Sequence, residues 1–264
     1  MYEFHTDKKR YFNMQYLTSK EYIIPFIQGS VPLKETYKVL EIGCAEAGVL
    51  KAFLEHGNTC TGIELSESRV ELAKSFLPDA VESGQISFIA KDIYEVDVES
   101  EIGHTFDIII LKDVIEHIFD QERFIPELKK FLAPNGHIFF GFPPWQMPFG
   151  GHQQMCRNKL LMFLPFFHLL PMPVYKWVLK IGGESEKNIQ NLVDIKLTGI
   201  SIERFERIIK ASGLHFKAKK LFFINPIYTY KFNLKVREQL SLIAKIPVLR
   251  NFVSTCAYYL ISQE

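Results

Sequence analysis

Cysteine is scarce in this chain and scattered: Cys44, Cys60, Cys156 and Cys256 form no C-x-x-C pair. That spacing argues against a zinc ribbon or a disulfide-stapled scaffold and points to free thiols in a reducing compartment. An excess of either charge is also lacking, since 31 Lys and Arg face 30 Asp and Glu for a net +1. A chain so balanced is no general polyelectrolyte binder. The start, MYEFHTDKKRYF, lacks an apolar core followed by a small-residue cleavage site, so a secretory signal is not expected. Nor does any apolar stretch run uninterrupted for the roughly 20 residues that a membrane span needs. The expected location is cytoplasmic. With 264 residues, one large α/β domain with additions accounts for the whole length.

A strict G-x-G-x-x-G string is missing too, but a near relative of it organises the chain. Residues 39–48, VLEIGCAEAG, run from an apolar strand through a tight turn into 49–54, whose apolar positions recur at helical spacing. Gly43 lets the chain leave the strand without a Cβ clash, and Gly48 lets the helix pack close to the sheet or to a ligand. Acids flank the turn at informative distances. Glu41 precedes Gly43 by two positions, and Glu64 follows it by 21, at the end of the apolar run 60–63. An acid so placed accepts hydrogen bonds from both hydroxyls of a ribose and repels a 2′-phosphate.

Strand and helix then alternate. Residues 59–63 read as the second strand, 66–76 as a helix with Ser66 as its N-cap, and 86–90 as the third strand. Residues 106–111 form a buried fourth strand, 122–132 a helix stopped by the turn 133–136, and 137–142 a fifth strand. Helical crossovers of this length require parallel strands, hence a doubly wound Rossmann-like sheet with ligands at the carboxyl ends of its strands. Gly43, Glu64, Asp92 and Lys112 fall at such ends. Each acid also has a plain structural reading. Glu41 could be a strand-end acid, Glu64 a capping acid before Ser66, and Asp92 the N-cap of the turn 93–95.

Glu41, Gly43, Ala45 and Gly48 match an acid-x-G-x-(G/A)…G motif, and with it the chain resembles the class I S-adenosylmethionine (SAM) dependent methyltransferases. The resemblance runs in register over about 37–144 and more loosely over 201–213 and the last strand. It implies a seven-stranded sheet, mostly parallel with the last strand antiparallel, and SAM as cofactor with S-adenosylhomocysteine (SAH) as product. It implies further that Cys44 and Ala45 line the cofactor, that Glu64 and Leu65 hold the ribose, and that Asp92 and Ile93 lie beside the adenine. Lys112 and Asp113 fall near the charged amino-acid end.

The segment LKDVIEHI is similar to the xxLEHV segment of ubiquinone-type O-methyltransferases, which implies transfer to oxygen. Asp113, Glu116 and His117 also look like the E-x-x-E-H cluster that binds a divalent metal in some of those enzymes. Asp in the first position is one methylene shorter, and many relatives carry the Glu-His pair without metal. No metal is therefore the preferred reading, with these three residues as the alternative ligand set.

Past Phe142 the resemblance stops. Residues 1–35 are expected to form a helical cover, with near-helical spacing over 11–28 interrupted by Pro25; 36–144 the SAM-binding core; 145–200 a helical, aromatic-rich cap; and 201–264 the rest of the core sheet. His152 follows two glycines that let the backbone approach a ligand, and is the first candidate for a general base, with His117 the second. The cap is broken by Pro165, Pro171 and Pro173, and it carries Arg157, Lys159, Lys176 and Lys180 with no acid until Glu184. Three occupants compete for it: an apolar or lipid-like acceptor, a membrane surface met peripherally through 157–181, or a second subunit, which leaves the oligomeric state open. Residues 201–212 signal a helix capped by Ser201, 215–224 and 256–261 strands, and 234–253 an amphipathic helical stretch broken at Pro247. Eight basic residues over 217–250 could meet phosphate, with RNA as a lesser substrate class, although most such runs are solvated faces.

The reading is a SAM-dependent methyltransferase acting on a small or amphiphilic acceptor. An NAD-dependent oxidoreductase and a non-catalytic SAM-binding partner subunit are the alternatives. Ala45, the second acid at Asp92 and the absence of a Tyr-x-x-x-Lys pair argue against the oxidoreductase.

Overall fold

The computed structural model describes residues 7–263. Its centre is one eight-stranded sheet built from β1 (Lys38–Ile42), β2 (Thr59–Ile63), β3 (Ile86–Ile89), β4 (Phe106–Lys112), β5 (Leu132–Phe142), β6 (His215–Ile224), β7 (Arg237–Glu238) and β8 (Cys256–Ser262). The order across the sheet is β3-β2-β1-β4-β5-β8-β6-β7. The first five strands are parallel, whereas β8 runs antiparallel to both β5 and β6. The chain winds outward in one direction from β1 to β3 and then returns to the other side at β4. Between the carboxyl ends of β1 and β4 the order therefore reverses, and a crevice opens there.

Burial explains why these segments are strands. Residues Phe106 to Lys112 of β4 are buried apart from Asp107, because helices cover both faces of a parallel sheet. One face packs Leu40, Ile109, Leu111, Phe140 and Phe142 under α10 (Ile202–Ala211), which adds Phe205 and Ile208. The other packs Val39, Ile108, Ile110 and Phe139 beneath α3 (Gly48–Glu55). At the head of α10 the Ser201 hydroxyl accepts from the Arg204 amide at 3.1 Å, the cap expected from the sequence.

Three elements differ from expectation. The sheet has eight strands rather than seven, because residues 234–253 do not form a long helix. The stretch instead supplies β7, α12 (Ser241–Ala244) and α13 (Leu249–Phe252). The β6 edge offers ladder partners, and the Gln239 amide donates to the Leu221 carbonyl at 2.8 Å. A Pro-broken helix this short has little intrinsic stability to set against that pairing. β5 also begins at Leu132, earlier than expected. Phe106 pairs with Leu132 and Ile108 with His137, so the turn 133–136 is an irregularity inside the strand. The preceding helix is correspondingly shorter, α6 (Gln121–Glu127) followed by a 3₁₀ turn, with Pro126 inside it.

The leading segment forms α1 (Lys8–Thr18), a π turn over Ser19–Ile23, and α2 (Ile24–Gln28). Pro25 does not interrupt it, because it lies in the first turn of α2, where its missing N–H is no loss. Residues 143–200 fold over the carboxyl ends of the strands as α7 (Lys159–Phe163), α8 (Met172–Ile181) and α9 (Glu186–Thr198), around their own small core of Cys156, Leu161, Phe167, Tyr175, Leu179 and Leu192. Among the described residues no helix is long and apolar enough to cross a membrane.

Candidate active site

The loop after β1 is tightly wound. Gly43, Ala45 and Ala47 all take left-handed backbone angles, with φ of 69°, 48° and 61°. The Gly43 and Cys44 amides both donate to the Ile63 carbonyl, at 2.8 and 3.2 Å, which folds the loop across β2. A Cβ on Gly43 would come within 2.8 Å of Val114, and one on Gly48 within 2.4 Å of the Phe12 carbonyl. Of the two partners open to Gly48, sheet or ligand, the structure supplies a third: the glycine admits α1 against α3.

Above this loop lies a cavity of about 560 Å³. Its floor holds Glu41, Gly43, Cys44, Ala45 and Gly48 from the β1 turn, and Lys112, Asp113, Glu116 and His117 from the end of β4. The cap contributes Phe149, His152, Met162 and Phe163, and α1 contributes Tyr11 and Gln15. Tyr228 and Lys231 enter from α11 (Tyr228–Phe232), which follows β6.

Four expected ligand residues lie outside that lining. Glu64 and Leu65 stand at the tip of β2, where one Glu64 oxygen accepts from the Ala45 amide at 3.0 Å and the other from the Ser66 amide at 3.1 Å. Asp92, with Ile93 beside it, accepts from the Tyr94 amide at 3.1 Å at the tip of β3. The capping roles open to both acids in the sequence are thus realised in this state, at strand ends that face the same side of the sheet.

The floor of the cavity holds buried ionisable groups. Burial pushes the Glu41 carboxyl well above the usual range, and its Oε2 has no hydrogen-bond partner among the described residues. Glu116 is pushed up likewise, by burial and then by the Asp113 charge, and neither of its oxygens has a hydrogen-bond partner among the described residues. Burial thus favours the neutral form of both acids. Burial is the largest influence on Lys112 and opposes its charge, but the Asp113 carboxylate bonded to it, together with Cys256 and Tyr11, raises its pKa. Asp113 itself is left-handed, with φ of 57°, and its amide donates to the Gly141 carbonyl at 2.7 Å. Among the described residues no group of three or more His, Cys, Asp or Glu is arranged to hold a metal ion, and Asp113 pairs with Lys112 instead.

The two candidate bases, distant in sequence, come together: the His117 and His152 rings lie 5.1 Å apart. Burial lowers the His117 pKa, which keeps the ring neutral. A Cβ on Gly150 would sit 2.2 Å from the Trp145 carbonyl, and one on Gly151 2.3 Å from His168, so the glycines before His152 let the cap loop fold closely on itself.

A polar cluster ties the cap down. The His168 Nε2–H donates to the Trp145 carbonyl at 2.8 Å, and its Nδ1 accepts from the Gln153 amide at 3.0 Å. This arrangement requires the neutral ring, and burial lowers its pKa to about 4. Lys196 reaches the His168 carbonyl and lies over the Trp145 ring. Gly199 fits against that ring, where a Cβ would approach to 2.4 Å.

Sequence reasoning missed Tyr11, Gln15, Tyr228 and Lys231. Lys231 was counted in the basic run, which the structure disperses. Lys220 pairs with Glu238 at 2.7 Å, Arg250 with Glu203 and Glu206 at 2.8 Å each, and Lys219 with Glu206. No periodicity marks a cavity residue on a five-residue helix.

Sheet order, glycine turn and crevice define a Rossmann-like α/β protein with its ligand site at the carboxyl ends of β1 and β4. Comparison with known proteins refines this. Residues 40–140 match the methyltransferase domain family. A ubiquinone biosynthesis O-methyltransferase from Rhizobium leguminosarum is 31% identical over 195 residues, 73% of this chain and 65% of that protein. One from Coxiella burnetii is 28% identical over 117 residues, 44% of this chain and 47% of that protein. The chain thus spans about half the length of the first curated relatives it matches. The structure of PKMT2 from Rickettsia typhi in complex with AdoHcy shares the fold at 17% identity, with a TM-score of 0.55 over 94% of this chain and 54% of that one. These matches support a class I SAM-dependent methyltransferase that resembles the ubiquinone O-methyltransferase branch.

Proposed function

We propose that this protein transfers a methyl group from SAM to an oxygen of a small or amphiphilic acceptor. The observation that carries the proposal is the cavity in which the β1 turn and the end of β4 meet two neighbouring histidines under an apolar cap. The residues present suit the cofactor. Glu41 brings a buried carboxyl oxygen without a partner to the cavity wall beside Gly43, and the volume is of the size that small ligands occupy. Cys44 and Ala45 are assigned to the same turn contact, Glu64 and Leu65 to the ribose, Asp92 and Ile93 to the adenine, and Lys112 and Asp113 to the amino-acid end. A ribose would replace the backbone amides that Glu64 now accepts.

When bound, SAM supplies a sulfonium methyl, and the protein's contribution is alignment. His152, or His117 beside it, takes the acceptor hydroxyl proton as the new C–O bond forms, and a neutral imidazole is the form able to do so. Phe149, Met162 and Phe163 favour an apolar or aromatic ring in the acceptor space. The oxygen preference rests on the names of the curated relatives and on the Glu116–His117 pair.

A peripheral membrane contact through 157–181 is the second reading for the cap, because Leu160 is 82% and Trp177 62% exposed among lysines. Calorimetric titration with SAM, SAH and NAD, on the wild type and on Glu64→Ala, tests the cofactor assignment. Binding of SAH that falls at least tenfold in the variant supports it, and NAD binding without SAH overturns it.

A further inference from the structure

Two runs of large apolar side chains stand in solvent. After β7, Leu242 is 75% and Val248 60% exposed, with Leu240, Ile246 and Leu249 exposed beside them. On the cap, Leu160, Phe163 and Leu164 are exposed as well. The runs are distant in sequence but join at two places. Phe252 of α13 packs on Phe166, which follows α7, with ring centres 6.1 Å apart. Phe163 and Leu234, both exposed, line the cavity together, so its mouth opens between the two runs.

The 240–249 limb is firmly based. One Glu203 oxygen accepts from the Val248 amide at 3.0 Å and from the Arg250 guanidinium at 2.8 Å, and the other accepts from the Asn251 side-chain amide at 2.6 Å. Val248 takes φ 65° and ψ −55°, and the Leu249 amide donates to the Pro247 carbonyl at 2.7 Å. That is a γ-turn of the rare, strained hand, at a β-branched residue for which positive φ is costly. Such strain persists only where the surroundings hold it, and it clusters where a surface is used. Here it keeps Val248 in solvent while Arg250 and Asn251 are buried beneath.

Charge selects the occupant. Residues 232–249 carry Lys235, Arg237 and Lys245 against one acid, Glu238, which pairs with Lys220 at 2.7 Å. Residues 157–181 of the cap carry four basic residues and no acid. Apolar tips rimmed by cations fit an anionic bilayer surface, where the tips enter the acyl boundary and the ammonium groups stay at the phosphates. The core of a protein interface is instead depleted of lysine.

We infer that residues 240–249 are a second limb of a lipid-docking surface that, together with the cap, seats the cavity mouth on an anionic bilayer and lets an acceptor enter directly from the lipid. The docking goes beyond the cap contact proposed above, and the entry route rests on the methyltransferase reading.

Sedimentation of the whole protein with lipid vesicles tests the docking. Wild type should bind vesicles containing phosphatidylglycerol, more weakly as salt shortens the Debye length, and should bind pure phosphatidylcholine at least about tenfold less tightly. Leu240→Ser combined with Leu242→Ser should weaken binding about 10- to 100-fold, as for two apolar side chains withdrawn from the interface. Lys245→Gln should weaken it about fivefold. An unchanged thermal midpoint and SAH affinity report an intact fold and cofactor site in each variant. Leu234→Trp, made in a Trp177→Phe background, reports the mouth: brominated acyl chains should quench its emission.

Wild-type protein that ignores anionic vesicles, or binds neutral ones equally well, would overturn the inference. Binding untouched by the double variant would confine docking to the cap and remove the second limb. So would a wild-type dimer that the double variant splits without loss of vesicle binding, since the limb would then meet a second copy. An unquenched Leu234→Trp on bound protein would overturn the entry route. Failure to bind SAH would remove the methyltransferase reading and the entry route with it, while the vesicle results decide the docking separately.

Discussion

The sheet core and the cap meet at one cavity but are held in opposite ways. The core is apolar on both faces of the sheet, and each strand is buried because helices close over it. The cap has a much smaller apolar core and depends on a buried polar cluster, Trp145, Gln153, His168 and Lys196, together with Glu184, which accepts from the Arg157 and Asn158 amides at 2.7 and 3.0 Å. Hydrophobic burial is non-directional and tolerant, whereas a buried polar network loses everything when one member changes its proton. The core should therefore answer to volume and the cap to pH.

Four experiments sharpen or break that contrast. The largest effect is expected in the core: Phe140→Ala, which leaves a hole beside Phe205, should cost about 3 to 5 kcal/mol in urea unfolding. A loss below about 1 kcal/mol would contradict the packing described. Acid should act on the cap. His168 is neutral when folded, with a pKa near 4 against an ordinary value of 6.5, so its stabilisation is complete above pH 6.5 and is lost as pH falls from there toward 4. The loss is on the order of 3 kcal/mol, and hydrogen exchange should show residues 145–200 opening over that interval ahead of the core strands. Simultaneous opening would erase the distinction.

His152 stands at the seam of the two regions. Its replacement by Ala should lower kcat about 100-fold or more with SAH affinity unchanged, and unaltered turnover at saturating acceptor would remove it from the chemistry. The smallest change in stability is expected for Trp177→Ser, within about 0.5 kcal/mol, because the side chain is solvent-facing. Its readout is sedimentation with anionic liposomes. Binding by the wild type that drops in the variant supports the membrane reading, and absence of binding by both discards it.

The same contrast explains what the sequence disclosed. β1, β2, β4 and the turn at Gly43 were legible because apolar runs, glycine and the alternation of strand and helix are local signals that the parallel sheet later enforces. α10 was equally plain, with its Ser201 cap and its inward Phe205 and Ile208. β7 was not, since two residues pair only because β6 lies beside them. Long-range meetings were silent as well. Nothing local announces that His117 and His152 share a cavity, that Gly48 is spaced for Phe12, or that Lys231 lines that same cavity. The polar residues that clamp the cap, Gln153 and Lys196 among them, read as surface until the fold enclosed them.

The two-residue β7 has a consequence for how the molecule avoids others of its kind. It pairs with β6 only at Phe222 and Ile224, and the rest of that edge carries Lys217, Lys219 and Lys220. A foreign strand arriving there would find too short a template at one end and, along the other, Lys217 beside the ion-paired Lys219 and Lys220. The sheet thus ends in a border that discourages its own extension into fibrils.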